Sequence, residues 1–305
     1  MNMGTKNVLV IGGSGFVGSN YLNYSKKLFH KILSPSHKEL DLLNVEQLKK
    51  TFDQFVPEVV VNFAAHRDAN SAELQRNDLG RSAWKTNVEG VNNLSKISSE
   101  YGSFLIHIST DMVFPGSKNN PGPYDENDQP ETKPENLSWY GWTKAQAEEI
   151  LKNTNSAIIR IGNVTQPVYD PKLDYVGKIL YLFDKNKLYP LFNDQYLTLS
   201  YIPSIFETIE ILIKNKTVGI FHTSSKNTFN PYELGEYLIE KARGKKGVVR
   251  GISIDEYLRK WPNRYPKYGG LLAEKTTSKL GIKLLDWKEI VDLFIEKTKT
   301  YSTNE

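Results

Sequence analysis

Unbroken apolar runs and helix-period stretches take turns along the first half of the chain. Val8, Leu9, Val10 and Ile11 follow one another without a polar residue, which reads as a strand buried on both faces. Residues 19–28 continue as a helix, residues 31–34 read as a second strand, residues 45–55 as a helix and residues 58–63 as a third strand. A long helical stretch over 83–101, a strand over 104–109, a helix over 138–152 and a strand over 156–162 repeat the pattern. Alternation of this kind predicts an α/β fold, a doubly wound parallel sheet with helices on both faces. Ligands in such sheets sit outside the carboxyl ends of the strands. That rule singles out Gly12, the run Ala64, Ala65 and His66, then Thr110 and Asn163.

The second half alternates less regularly. A strand end near Tyr201 leads into a helix over 204–214, residues 218–222 read as a returning strand, and residues 231–243 and 286–298 as amphipathic helices. The expected organisation is a dinucleotide-binding domain over 1–168, with 196–228 returning to its sheet. A smaller substrate-binding lobe then takes 169–195 and 229–305. The connection over 115–134 carries five prolines and is long for a compact domain, a length usually associated with function or mobility.

Composition narrows the chemistry. With 305 residues, 39% apolar and 24% charged, the chain can bury a sizeable core as a soluble globular protein. A net charge of +4, spread along the sequence, suits an anionic small ligand and argues against nucleic acid as a partner. There is no cysteine, which removes disulfides, thiolate catalysis and cysteine-ligated zinc. The five histidines show no metal-ligand spacing, so no metal is expected and most of them read as structural. No apolar run has transmembrane length and no signal-peptide core precedes the first strand, so the expectation is a cytoplasmic protein with no membrane partner.

Two motifs carry the candidate chemistry. Gly12, Gly15 and Gly18 follow the first strand at three-residue spacing and open a helix. Glycines there let the backbone turn sharply and approach a pyrophosphate, whose charge the helix N-terminus favours. The second motif is Tyr140-Gly-Trp-Thr-Lys144, which puts a phenol and an ammonium one helical turn apart. A cation beside a phenol is expected to lower its pKa and to ready it for proton exchange near neutral pH.

With these motifs in place the chain resembles the extended short-chain dehydrogenase/reductase superfamily, and within it the dTDP-4-dehydrorhamnose reductase group. The residues carrying the resemblance run from Ile106 through Ser109-Thr-Asp-Met-Val-Phe-Pro-Gly116, then Pro123-Tyr-Asp-Glu-Asn-Asp128 and the Tyr140/Lys144 helix. Phe192-Asn-Asp-Gln195 and Arg264-Tyr-Pro-Lys-Tyr-Gly-Gly-Leu271 add to it on the substrate side. The resemblance implies a Rossmann fold that binds NADP, or NAD, and reduction of a 4-keto-6-deoxy nucleotide sugar by the reduced cofactor. It implies that Gly12, Ser14, Gly15, Phe16 and Val17 line the pyrophosphate, and that Asp41 and Leu42 meet adenine. Ala64, Ala65, His66 and Asn87 would lie near the nicotinamide. Thr110, Tyr140 and Lys144 would be the catalytic set, with Lys144 also on the nicotinamide ribose. Asp111, Met112, Phe114, Asn163, Asn193, Gln195 and Arg264 would face the sugar nucleotide, with Arg264 as a diphosphate clamp. A homodimer is compatible with the resemblance. Two alternatives stay open: a non-catalytic NADP-binding regulatory subunit like the beta subunit of methionine adenosyltransferase, and a nucleotide-sugar epimerase.

Some positions depart from the group. Met112 stands where related dehydratases carry an elimination base, which disfavours dehydration, and where the reductases commonly have Tyr. Asn163 replaces a Trp that usually packs on the sugar, which leaves the sugar's identity open. Arg67 pairs either with a substrate phosphate or with Asp68. After the second strand no acid precedes Glu39, so Ser34, Ser36, His37 and Lys38 favour the extra phosphate of NADP. Residues 73–83 read as a loop covering the pocket.

Overall fold

The structure is a computed structural model that describes residues 5–28, 30–167 and 174–302. The expected domain boundary at 168/169 lies outside the described residues. The chain runs β1 (Asn7–Ile11), α1 (Phe16–Ser25), β2 (Lys31–Leu33), α2 (Val45–Phe55), β3 (Val59–Asn62) and α3 (Ala69–Glu73). A short helix, α4 (Ser82–Trp84), passes through a π-turn (Lys85–Glu89) into α5 (Gly90–Glu100) and β4 (Phe104–Thr110). Next come α6 (Trp139–Leu151), β5 (Ser156–Ile161), β6 (Val164–Thr165), α7 (Tyr175–Asp184), β7 (Leu191–Phe192) and β8 (Ser200–Tyr201). The chain closes with α8 (Ile202–Asn215), β9 (Gly219–His222), α9 (Pro231–Arg243), β10 (Gly251–Ile252), α10 (Asp255–Lys260), α11 (Glu274–Leu280) and α12 (Trp287–Ser302).

Two compact units share these elements. The first holds residues 1–113, 130–160 and 206–221, and the second 114–129, 161–205 and 222–305. The first unit is built on a parallel six-stranded sheet ordered β2-β1-β3-β4-β5-β9. Its central strands are apolar runs with no exposed face: β3 is buried at all four positions, and helices must therefore cover both sides. The chain crosses from β1 outward to β2 and then back past β1 to β3, which flanks β1 on the other side. The carboxyl ends of β1 and β3 therefore form the topological switch point, the usual ligand position in such sheets. Leu9, Ile11, Leu48, Phe52, Val91, Leu94 and Leu151 fill the core on one face.

Local signals set the helix ends. Asn44 caps α2 by accepting from Gln47 N, and Ser138 caps α6 by accepting from Gly141 N at 3.1 Å. The long helix expected over 83–101 is interrupted by the π-turn at Lys85–Glu89, which packs Asn87 inward.

The second unit has its own core of Leu180, Leu199, Phe229, Leu238, Trp287, Val291 and Phe294, among others. Two small parallel ladders, β6 with β8 and β7 with β10, thread through it. Its part of the proline-rich connection is anchored. Tyr124 pairs with the Gly270–Leu272 backbone, and the buried Glu126 carboxylate accepts from Lys275 N, Thr276 N and the Thr276 hydroxyl.

Candidate active site

The glycine turn is shaped by close backbone packing. Gly12 has φ +76°, and a Cβ on it would stand 2.5 Å from Ala64 N at the end of β3. A Cβ at Gly18 would stand 2.4 Å from the Gly12 carbonyl oxygen, so α1 can pack this closely only without a side chain there. Gly15 is the N-cap of α1 and offers no side-chain cap, which leaves that helix end to an external acceptor. Ser14 is exposed and Val17 half-buried, while Phe16 is buried under the turn. The Ser34 hydroxyl leans on Gly13, and His37 and Lys38 are exposed in the turn after β2. Glu39 accepts from Ser36 N at 2.7 Å, which fixes that turn and holds the Glu39 carboxyl below its ordinary value. These features fit a dinucleotide: a bare helix N-terminus for the diphosphate and polar side chains where a ribose phosphate would lie. Asp41 turns its carboxylate onto Leu43 N at 2.9 Å. Leu42 packs in the core beside Gly90, with its carbonyl held by Asn93.

The proton-transfer set gathers where β3 and β4 end beside α6. Thr110 closes β4, and its hydroxyl hydrogen-bonds with the Tyr140 phenol and contacts Asp111 Oδ1 at 3.1 Å. Burial, seconded by the charge of Asp111, pushes the Tyr140 phenol up to about 12, against the Thr110 hydrogen bond and the nearby Arg67 guanidinium. This corrects the expectation that Lys144 lowers the phenol. Tyr140 and Lys144 do sit one turn apart on α6, but the lysine is itself desolvated, which brings it down to about 7 despite the charge of Glu148. Its Nζ reaches His107 Nε2 at 2.8 Å and donates to the Ile108 carbonyl at 2.6 Å. Arg67 acts on the phenol, whereas Asp68 caps α3 through Asn70 N and Ser71 N.

Around this set lie groups the sequence had named, Asn87, His66 and Met112, and others that gave no clear signal there, Arg160, Glu148 and Arg76. Asn87 locks the strand-end loop by accepting from His66 N at 2.7 Å and donating to the His66 carbonyl, and it donates to Thr143 of α6. The His66 ring bridges the Ser71 and Ser82 hydroxyls. Arg160 and Glu148 form a fully buried ion pair at 2.7 Å, with the Ser109 hydroxyl also on Glu148. The segment read as a pocket cover ties instead to the start of α6: Glu73 accepts from Trp139 N, and Arg76 donates to the carbonyls of Pro134 and Leu137. Met112 lies on the turn after Thr110, with its carbonyl oxygen directly beneath Gly141. A lone arginine within an Ile-rich strand and an asparagine ending a valine run were the available clues.

Of the residues assigned to the sugar nucleotide, Asp111 and Met112 lie in the first unit, and the second unit holds Phe114, Asn163, Asn193, Gln195 and Arg264. Asn163 has φ +43° and donates to the Thr198 carbonyl. Asn193 joins the β7/β10 ladder through its backbone, and Arg264 is buried beside the Trp261 ring. Two expectations need correction. Phe114 is 2% exposed and stacks on Tyr124 at 4.1 Å, which leaves no open ring face for a sugar. Gln195 is 6% exposed, and its amide nitrogen donates to the Pro266 carbonyl, so one of its two N–H donors serves the fold. Asp194 is likewise engaged, with Lys267, the Ser253 hydroxyl and Ile254 N.

Comparison with known proteins bears on the fold and the family. The chain is 25% identical over 293 residues to the spore coat polysaccharide biosynthesis protein SpsK of Bacillus subtilis, covering 95% of this chain and 97% of that one. It is 28% identical to methionine adenosyltransferase 2 subunit beta of Mus musculus, over 96% and 90% of the two chains. To the dTDP-4-dehydrorhamnose reductase of Aggregatibacter actinomycetemcomitans it is 27% identical, over 85% and 87%. The same fold occurs in the crystal structure of dTDP-4-dehydrorhamnose reductase from Bacillus anthracis in complex with NADP, with a TM-score of 0.82, 23% identity and 96% and 100% coverage. The profile of the family described as RmlD substrate binding domain matches residues 6–300, and the chain belongs to that family.

Proposed function

We propose that this protein reduces the ketone of a 4-keto-6-deoxy nucleotide-diphosphate sugar, dTDP-4-dehydrorhamnose or a close relative, using NADPH, with NADH as the possible substitute. The observation that carries the reading is the buried Thr110 hydroxyl beside the half-buried Tyr140 phenol at the carboxyl end of β4, in the same unit as the glycine turn. Gly12, Ser14, Gly15, Phe16 and Val17 would hold the diphosphate, and Ser34, Ser36, His37 and Lys38 the ribose phosphate. When bound, the reduced nicotinamide supplies hydride. Thr110 and Tyr140 then direct two hydroxyl groups at the ketone oxygen as it gains negative charge, and Tyr140 Oη gives up the proton that makes the alcohol. A phenol held near 12 is fully protonated at neutral pH, which suits it to act as the acid. Met112 offers no base for elimination, which supports reduction over dehydration.

The same cytoplasmic-type chemistry fits a chain in which, among the described residues, no helix is long and apolar enough to cross a membrane. The likeness to a methionine adenosyltransferase subunit sustains a second reading, a non-catalytic NADP-binding partner. The intact Thr110, Tyr140 and Lys144 set favours the enzyme. One assay separates them: purified protein is mixed with NADPH and dTDP-4-dehydrorhamnose, and the reduced-nicotinamide absorbance is followed. Stoichiometric loss supports the reductase. No loss with tight NADPH binding points to the subunit, and cofactor that co-purifies without net consumption points to an epimerase.

A further inference from the structure

Behind Lys144 lies a chain of buried polar contacts that the proposed reaction does not by itself require. Ala64 N donates to Asn62 Oδ1 at 3.0 Å, Asn62 Nδ2 lies 3.1 Å from His107 Nδ1, and His107 Nε2 lies 2.8 Å from Lys144 Nζ. Asn62 and His107 have no exposure, and Lys144 has 1%. No solvent can therefore stand in for a missing partner.

The direction of each bond follows from the one at the end. A backbone N–H can only donate, so Asn62 must present its oxygen to Ala64 and its NH2 to His107. His107 Nδ1 must then accept, which puts the single proton of the neutral ring on Nε2. That N–H points at Lys144 Nζ, which must offer a lone pair while its own N–H donates to the Ile108 carbonyl. Each contact then joins one donor to one acceptor. An ammonium at Lys144 would need the lone pair of Nε2, moving the ring proton to Nδ1 against the Asn62 NH2. Turning the amide over only transfers the clash to Ala64 N.

We infer that Asn62 and His107 are positioning residues that hold Lys144 as a neutral amine in the cofactor-free protein, through a one-way hydrogen-bond chain that ends on the Ala64 amide. Its bearing on catalysis rests on the reductase reading. Because a Cβ at Gly12 would stand 2.5 Å from Ala64 N, the chain also joins the lysine to the cofactor turn. Charging Lys144 then requires the Asn62 amide to turn, which disturbs the backbone against which the dinucleotide would seat. Burial acts in the same direction on the lysine, bringing Lys144 to about 7. The one carboxylate whose charge acts on Lys144 is Glu148, and it is paired with Arg160. Tyr140 and Glu149 on the same helix, Asp111 after β4, Glu73 on α3, Lys85 and Glu89 on the π-turn, and Lys96 and Glu100 on α5 are the other charged or titratable groups on the packed elements. None of them is among the charges acting on it.

Nitrogen-15 NMR of histidine-labelled protein tests this without cofactor or substrate, with the His107 signals assigned by difference against His107→Gln. The expected result is a neutral ring carrying Nε2–H at pH values above the Lys144 titration, with no imidazolium forming across neutral pH. Asn62→Asp should invert the chain, because a carboxylate accepts from both Ala64 N and His107 Nδ1–H. The tautomer should switch to Nδ1–H and the Lys144 Nζ titration, followed by lysine-labelled NMR, should move up by about one pH unit or more, a tenfold change. An Nδ1–H tautomer in the wild-type protein above the Lys144 titration, or an imidazolium at neutral pH, overturns the inference whether or not a keto sugar is reduced. An unchanged Lys144 titration in folded Asn62→Asp does the same. Failure of the reductase assay with the Nε2–H tautomer intact overturns the function and leaves the proton chain standing.

Discussion

Replacing Gly141 by alanine adds one methyl group between the two residues of the Tyr140/Lys144 pair, and two effects of opposite sign compete. Gly141 lies in the first turn of α6, where alanine favours the helix by up to about 1 kcal/mol. Against this, the new Cβ would stand 2.1 Å from the Met112 carbonyl oxygen and 3.3 Å from Ser138 Oγ. An ordinary carbon–oxygen contact is about 3.3 Å, so α6 or the turn at Asp111–Val113 must move by roughly 1.2 Å. The obstruction is backbone and cannot rotate away, and overpacking of this kind costs about 1–3 kcal/mol. Crowding should win, with a net loss of about 1–2 kcal/mol in a urea titration. The movement also separates Thr110 from Tyr140, and a displacement of ~1 Å in a reacting group lowers turnover by about 100-fold. Single-turnover NADPH oxidation measures the second effect. A Gly141→Ala protein with wild-type turnover and equal or greater stability would refute the packing argument.

Three further outcomes follow from the same geometry. Tyr140→Phe removes the proton donor and one of two hydroxyls aimed at the developing oxyanion, so kcat should fall by about 10²–10³ while NADPH affinity measured by fluorescence titration stays put. Glu148→Ala leaves the Arg160 guanidinium buried without its carboxylate, and chemical denaturation should show a loss of about 3–5 kcal/mol. Burial raises Asp111 to about 6 from 3.8, so the folded state holds the extra proton. The stability it contributes is full below pH 4 and fades as pH rises through about 6. Asp111→Asn should accordingly gain on wild type by up to ~3 kcal/mol at pH 7.5 and by almost nothing at pH 4, compared by urea midpoints. Equal gains at both pH values would remove the titration from the explanation.

Periodicity revealed the main sheet because its strands are buried on both faces. The Val8–Ile11 and Val59–Val61 runs have no polar position to confuse the period. The π-turn at Lys85–Glu89 was not legible, since helical spacing continues through it and only the inward turn of Asn87 marks it. On the site, the glycine spacing and the Tyr140/Lys144 interval survive into three dimensions because local backbone geometry determines both. Phe114 and Gln195 did not follow their expected roles. Their neighbours come from residues far along the chain, Tyr124 with His222 in one case and Pro266 in the other. Asn62 and His107 were hidden for a similar reason. A strand's sequence shows that a polar residue is present but not which buried partner receives it.

The Tyr140/Lys144 interval also shows where spacing alone misleads. A full unit charge ~5 Å from the phenol, at an effective dielectric of about 20, would favour the phenolate by roughly 3 kcal/mol, or about 2 pKa units. Burial can raise a phenol by 3–5 units, about as much or more. The cation is moreover only partly present, because the same burial brings Lys144 to about 7. Desolvation acts on both partners at once, pushing one up and the other down, and so removes the charge that was to do the tuning. For a reductase this outcome is favourable. The acid must give its proton to an alkoxide far more basic than a phenolate, so the phenol need not be weakened, only protonated and aimed. Thr110 supplies the aim, and burial supplies the protonation.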